Sequence, residues 1–257
     1  MDFQPQRGDV PRMVLRGGAI LGLISAGMLV LVPLRGVEKA LHGPSRPWTP
    51  WLVHWVSRAC RFALGIRCIR RGRPVKGTST VFVANHVSWI DILSLNAETP
   101  MTFVAKADVA GWPGIGFMAR AAGTVFIERD PRQVAAQSEV LASKIAAGHR
   151  ILIFPEGTSS DGLRVLPFRP SLFQAFLKSA PVTLQPITLR YEAPDGQDER
   201  FYGWWGDMDM GPSLKAILAC RRPGRLTITF HDGIQVTEGT HRKALAKQAE
   251  DVVRSAL

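Results

Sequence analysis

Only three cysteines occur among the 257 residues, Cys60, Cys68 and Cys220. They show neither paired spacing nor a zinc-ligand pattern, which argues against a disulfide framework and points to reduced packing residues in a cytosolic setting. A Walker loop and a Rossmann glycine pattern are also missing, so no metal and no redox cofactor is implied. There is no internal repeat and no low-complexity tract. Acidic residues are outnumbered, 21 against 32 Lys and Arg, for a net charge of +11. That excess is local, because residues 1–76 carry 13 Lys and Arg against 3 Asp and Glu while the other 181 residues are close to neutral. The basic residues lie beside apolar and Trp-rich segments rather than on a polar recognition element, so nucleic acid is not the expected partner.

What the chain does have is 46% hydrophobic residues with 21% charged, a balance that suits one α/β domain with a modest appendage. Residues 17–34 form a run of 18 uncharged, mostly apolar residues, preceded by Arg7, Arg12 and Arg16 and followed by Arg35 and Lys39. As a helix it would be about 27 Å long, slightly short of a typical hydrocarbon core. A secretory signal is the rival reading, but Pro33-Leu34-Arg35-Gly36 offers no small-residue cleavage pattern, so a retained membrane segment is expected. Residues 48–64 place Trp48, Trp51 and Trp55 at helical spacing with His54, Arg58 and Arg61 between them. Tryptophan with arginine suits the headgroup layer, and the alternative is a Trp stripe packed on the domain core. The expectation is a basic, membrane-associating two-helix region over residues 1–76, with membrane lipids as partners. Positive charge on both sides of residues 17–34 leaves open whether that segment spans the bilayer or lies in one leaflet.

From residue 77 the pattern alternates. Strands are expected at 81–84, 102–105, 124–127, 150–154, 182–189 and 226–230, and helices at 131–147, 171–179 and 240–257, which is α/β ordering over residues 77–257. Pro131 and Gly148 punctuate the first of those helices. A polar loop at 192–200 precedes Phe201-Tyr202-Gly203-Trp204-Trp205-Gly206-Asp207-Met208-Asp209, which can be a lid, a membrane-dipping loop or part of an acyl pocket.

Two polar clusters stand just past buried strands, where open α/β sheets place their ligands. They are Asn85-His86-Val87-Ser88-Trp89-Ile90-Asp91 and Phe154-Pro155-Glu156-Gly157-Thr158-Ser159-Ser160. The pair resembles the glycerolipid acyltransferase family, whose active site is built from a block with His and Asp and a Phe-Pro-Glu-Gly-Thr block. Between them Gly123-Thr124-Val125-Phe126-Ile127-Glu128-Arg129 is similar to that family's block ending in Arg, and Gln185-Pro186-Ile187-Thr188-Leu189 to its Pro-containing strand. The resemblance implies a single acyltransferase domain with a central mixed sheet flanked by helices. It also implies a thioester donor, acyl carrier protein or CoA, and a lysolipid acceptor. Asn85, Ser88, Lys106, Arg129, Glu156, Gly157, Thr158 and Ser159 would then surround the substrates. With the site facing cytosolic donors, the expected location is the cytoplasmic side of the inner membrane if the host is bacterial.

Esterifying a hydroxyl from a thioester needs a base, and His86 is the natural one, with Asp91 fixing its tautomer and stabilising the imidazolium. Residues five apart diverge by about 140° on a helix, so His86 must precede the helix and Asp91 must fall in its first turn. Ser88 fits the N-cap, and the capping-box pattern Ser88-Trp89-Ile90-Asp91 lets Asp91 merely serve the helix end. Gly157 permits close backbone approach, successive amides there can hold an anionic oxygen, and Glu156 would orient the acceptor's hydroxyl or the loop itself. Lys106 and Arg129 close their strands, where the resemblance implies cations that meet a headgroup phosphate or the acyl donor, the alternative being simple surface charge.

Members acylating lysophosphatidate commonly follow Phe-Pro-Glu-Gly-Thr with Arg, and here Ser159 stands there. Losing that bidentate donor would cost about 1.5 to 3 kcal/mol if a phosphate sat against it. The run from Phe154 to Phe168 and the Trp204–Asp209 stretch look more like the branch acylating lyso-ornithine lipid, whose headgroup has no phosphate. Arg164 or Arg169 can replace the missing cation and restore lysophosphatidate as the alternative. A catalytically silent lipid-binding adaptor is the non-enzyme alternative, against which intact His86, Asp91, Glu156 and Gly157 argue.

Overall fold

The computed structural model describes residues 6–77, 79–128, 134–179 and 181–257. The described residues begin with a single 3-10 turn, Arg7–Asp9, and then α1, Val10–His42, whose 33 residues make a rod about 50 Å long. Gly43 ends it, and α2, Thr49–Leu64, runs back along it. A fully buried Glu38 joins the two helices. Its Oε1 accepts the amides of Trp48 (2.7 Å) and Thr49 (3.0 Å), and its Oε2 accepts the Thr49 hydroxyl (2.6 Å) and Arg35 Nη1 (3.1 Å). A carboxylate from α1 therefore caps the start of α2, where backbone donors lack helical partners.

Both ends of α1 are tied to the rest of the molecule. Near its start, Arg12 Nη1 donates to Ala219 O (2.5 Å) and Arg16 Nη1 to Cys220 O (2.7 Å), carbonyls at the negative end of α7, Met210–Ala219. Beyond its end, Arg46 Nη2 donates to Ala121 O (3.2 Å) at the close of α4, Ile115–Ala122.

The sheet contains β1 Arg67–Arg71, β2 Thr80–Ala84, β3 Thr102–Lys106, β4 Val125–Ile127, β5 Ile151–Ile153, β6 Val182–Glu192, β7 Arg225–Phe230 and β8 Ile234–Val236. Its order is β1-β7-β6-β2-β5-β3-β4, with β8 also on β6. The strands from β6 to β4 run parallel, β7 and β8 pair antiparallel to β6, and β1 runs with β7. The sheet is mixed and helices cover it, as the resemblance implied. β2 is apolar throughout because both its faces are covered. Phe82 and Ala84 pack with Leu64, Ile90 and Ile217, while Val81 and Val83 pack on the other face with Ile145, Phe176 and Val253. Pro186 sits inside β6, at the point where that strand's partner changes from β8 to β7.

Each expected strand occurs, and β6 runs on to Glu192. Two more appear: β8, only three residues long, and β1, Arg-Cys-Ile-Arg-Arg, whose charges disguise an edge strand. Because β1 belongs to the sheet, the helical N-terminal region stops at Leu64 rather than continuing to residue 76. The helix expected over 131–147 is described as α5, Val134–Ala146, and its start lies outside the described residues. The helix expected at 171–179 is a 3-10 turn, Pro170–Phe173, followed by α6, Gln174–Lys178. The C-terminal one is α8, Arg242–Arg254.

Candidate active site

The end of β2 delivers Asn85 and His86, and α3, Ile90–Asn96, begins four residues later. Asn85 is fully buried and spends its amide on β6: Nδ2 donates to Leu189 O (2.9 Å) and Oδ1 accepts Leu189 N (2.8 Å). The residue expected beside the substrate thus fastens the loop carrying His86 to its neighbouring strand.

His86 Nδ1 lies 2.7 Å from Asp91 Oδ2. The same oxygen accepts the amides of Val87 (2.7 Å) and Ser88 (2.9 Å), and Oδ1 accepts the hydroxyl of Tyr191 (2.6 Å). Two readings of Asp91 thereby coincide, since one carboxylate both satisfies backbone donors ahead of α3 and holds the imidazole. Ser88 is not the cap expected of it. Trp89 occupies the N-cap position, and the buried Ser88 hydroxyl has no hydrogen-bond partner among the described residues. Surrounded by donors, the carboxylate acts as acceptor, so Nδ1 carries the proton and Nε2 the lone pair.

The second block is built around the first. Phe154 stacks on the His86 ring, centroids 4.0 Å apart and 12° from parallel. Ser160 N donates to His86 O (2.8 Å), and His86 N donates to Glu156 Oε1 (2.7 Å). Glu156 Oε2 accepts Leu166 N (2.9 Å). Of its two expected roles, Glu156 therefore performs the orienting of the loop. Burial pushes its carboxyl up to about 7, outweighing the two amides that favour the charged form.

Gly157 adopts φ +73°, and a Cβ there would come within 2.9 Å of Arg169 Nε, so the arginine lies across the glycine. The Gly157 amide closes a turn on Phe154 O (3.0 Å), which removes it from the pair of anion-holding amides expected here. Ser159 donates its hydroxyl to Trp204 O, and Trp204 N donates to Val87 O (2.9 Å). The aromatic 201–209 segment is thus clasped to both blocks, and Trp204, Gly206 and Asp207 line the cavity.

That cavity measures about 980 Å³. His86, Lys106, Thr158, Ser159 and Arg169 face it, and Gly27, Leu31 and Val56 of the helical hairpin form part of its apolar wall. Lys106 pairs with Asp108, and Arg164 is engaged with Asp161 (2.7 Å), which leaves Arg169 as the replacement cation that lines the cavity. Arg129 lies outside the described residues. Among the described residues no three His, Cys, Asp or Glu side chains gather as a metal-ligand set. Sequence reasoning missed Tyr191, which reaches Asp91 from β6 across 100 residues of chain; its one local signal is a place two residues beyond Leu189, where Asn85 binds.

Comparison with known proteins identifies the family. Residues 66–190 match the family model described as Acyltransferase. A lyso-ornithine lipid O-acyltransferase of Rhodobacter capsulatus is 46% identical over 259 residues, covering 100% of this chain and 94% of that protein. A 1-acyl-sn-glycerol-3-phosphate acyltransferase of Neisseria gonorrhoeae is 29% identical over 188 residues, covering 73% of this chain and 72% of the other. The crystal structure of the 1-acyl-sn-glycerophosphate acyltransferase from Thermotoga maritima superposes with a TM-score of 0.64 at 19% identity, covering 95% of each chain, which places the two in one fold. Similarity of that extent along the entire chain makes this protein a member of the acyltransferase family.

Proposed function

We propose that this acyltransferase moves a fatty acyl group from an acyl carrier protein or CoA thioester to the free hydroxyl of a lysolipid, with lyso-ornithine lipid as acceptor. The observation that carries the reading is the His86–Asp91 pair, 2.7 Å apart, on the wall of a large cavity whose remaining lining is mostly apolar. His86 Nε2 takes the acceptor's proton as its oxygen attacks the thioester carbonyl, and Asp91 stabilises the resulting imidazolium. Collapse of the tetrahedral intermediate breaks the C–S bond, and the departing thiolate recovers the proton from His86. Phe154, stacked on the imidazole, holds the ring in plane without competing for Nε2.

The acceptor assignment is supported by Ser159, whose hydroxyl is committed to Trp204 O, and by the 46% identity to a lyso-ornithine lipid O-acyltransferase. Arg169 is the cation available to an anionic headgroup group, a carboxylate in this reading. Lysophosphatidate is the second reading, favoured by the same arginine if a phosphate sits against it.

The outer faces of α1 and α2 support a membrane location. Leu15, Leu21 and Leu29 of α1 and Trp51, Trp55 and Phe62 of α2 are exposed. Arg7–His42 is long and apolar enough to cross a bilayer, and Arg58 lies over the Trp55 ring, 5.9 Å from its centroid. We place the cavity on the cytoplasmic side, where thioester donors are found.

The test offers detergent-solubilised protein lyso-ornithine lipid and lysophosphatidate side by side with an acyl-carrier-protein thioester. His86→Ala is expected to lower turnover by about 10² to 10⁴ while retaining vesicle binding. Wild-type turnover in that variant would refute the mechanism, and preferential transfer to lysophosphatidate would refute the acceptor.

A further inference from the structure

We propose that Tyr191 is a positioning residue for the His86–Asp91 pair, holding the carboxylate by its second oxygen and setting the basicity of His86. The inference rests on the base-and-carboxylate reading above. The chain has two tyrosines, and they lie side by side with ring centroids 5.1 Å apart. Their hydroxyls serve different partners. Tyr202 accepts the amide of Gly224 (2.8 Å), whereas Tyr191 donates to Asp91 Oδ1 at 2.6 Å.

Asp91 is fully buried, and three of its four hydrogen bonds converge on Oδ2. Without Tyr191 the other oxygen would lose its one described donor, and a buried carboxylate oxygen without a donor is costly. Bonds to Oδ2 alone also leave the carboxylate plane free to turn about that oxygen, whereas a donor arriving from β6 fixes it. The strand doing this is the one to which Asn85 fastens the His86 loop, so β6 sets the position of both partners.

The electrostatic consequence has a definite sign. A phenol donating to Asp91 draws off part of the carboxylate's negative charge. That charge is what Asp91 offers to a protonated imidazole, so removing the phenol's donor strengthens the pairing of Asp91 with the imidazolium relative to wild type. The phenol keeps its own proton, because burial and the Asp91 charge push Tyr191 well above its usual value. Other titratable groups near the cluster are Glu156, Cys68 and Tyr202. Burial pushes Cys68 up to about 11 and Tyr202 up to about 12, outside a neutral assay range, and Glu156 is common to every protein compared below.

The experiment measures kcat, acceptor KM and the acid limb of the kcat/KM profile for full-length wild type, Tyr191→Phe and Tyr202→Phe, with His86→Ala as reference. Tyr191→Phe keeps the ring that packs on Tyr202 and is expected to lose about tenfold in kcat with KM little changed. Its acid limb should move upward by on the order of half a pH unit, while Tyr202→Phe leaves the limb in place. A second arm replaces both tyrosines biosynthetically with 3-fluorotyrosine, a stronger donor of nearly the same shape, and should move the limb downward. An unmoved limb in Tyr191→Phe, whatever its kcat, or in the fluorinated protein if the variant fails to fold, overturns the inference. An active His86→Ala overturns instead the reading on which it stands.

Discussion

At Glu156 a single carboxyl group connects the loop of one sequence block to the backbone of the other, and it does so while buried. Its carboxyl is raised from the usual carboxylate range to about 7. A group more easily protonated in the folded than in the unfolded chain favours folding at low pH, and that contribution is lost as pH rises from its unfolded value through its folded one. Glu156→Gln removes this dependence but faces its amide N–H against a backbone donor, a constant cost of about 1 to 3 kcal/mol. The variant should therefore melt well below wild type at pH 5, with the gap narrowing by pH 8; a gap constant with pH in thermal unfolding would contradict it. The His86–Asp91 contact was legible at this scale because residues five apart meet only when His86 precedes the helix and Asp91 lies in its first turn, and the resemblance rather than the spacing chose that contact over capping alone. The partners of Glu156 were not, since a glutamate after a strand looks the same whether it faces a ligand or a backbone amide. Ser88 misled for a related reason: the capping pattern was present, but Asp91 rather than the serine side chain supplied the acceptor.

Among the elements, the turn of the α1–α2 hairpin is held by one side chain. Glu38 receives two amides, a hydroxyl and a guanidinium at the turn. Glu38→Ala strips these buried donors of their acceptor and should cost about 2 kcal/mol or more, read as an earlier denaturant midpoint in detergent, while Glu38→Gln should cost less. An unchanged midpoint in the alanine variant would show that the hairpin is held by apolar packing alone. The central strands could be read from sequence because burial on both faces leaves an apolar run, as in β2. β1 could not, because three of its five residues are arginine and its pairing with β7 lies far along the chain. α4, not among the helices expected from the sequence, lies between Gly114 and Gly123, both at positive φ, and its eight residues make only about two turns.

On the scale of the whole molecule, the cavity belongs to no single layer. Gly27 and Leu31 of α1 and Val56 of α2 close it on one side, and the loops after β2, β3 and β5 close it on another. Gly27 is small because Val56 lies against it, 2.7 Å from where a Cβ would be, so the hairpin's own packing fixes the position of that wall. Cutting the chain after Leu64 to obtain a protein free of detergent would therefore remove that wall and leave an open apolar trough. Water would enter the trough, and apolar surface that the hairpin covers, including the side of Phe82 and Ala84 that meets Leu64, would be laid bare. Solubility is better sought on the outer face, where Leu21, Trp55 and Phe62, exposed by 66%, 59% and 88%, contribute nothing to the lining and can be exchanged for polar residues.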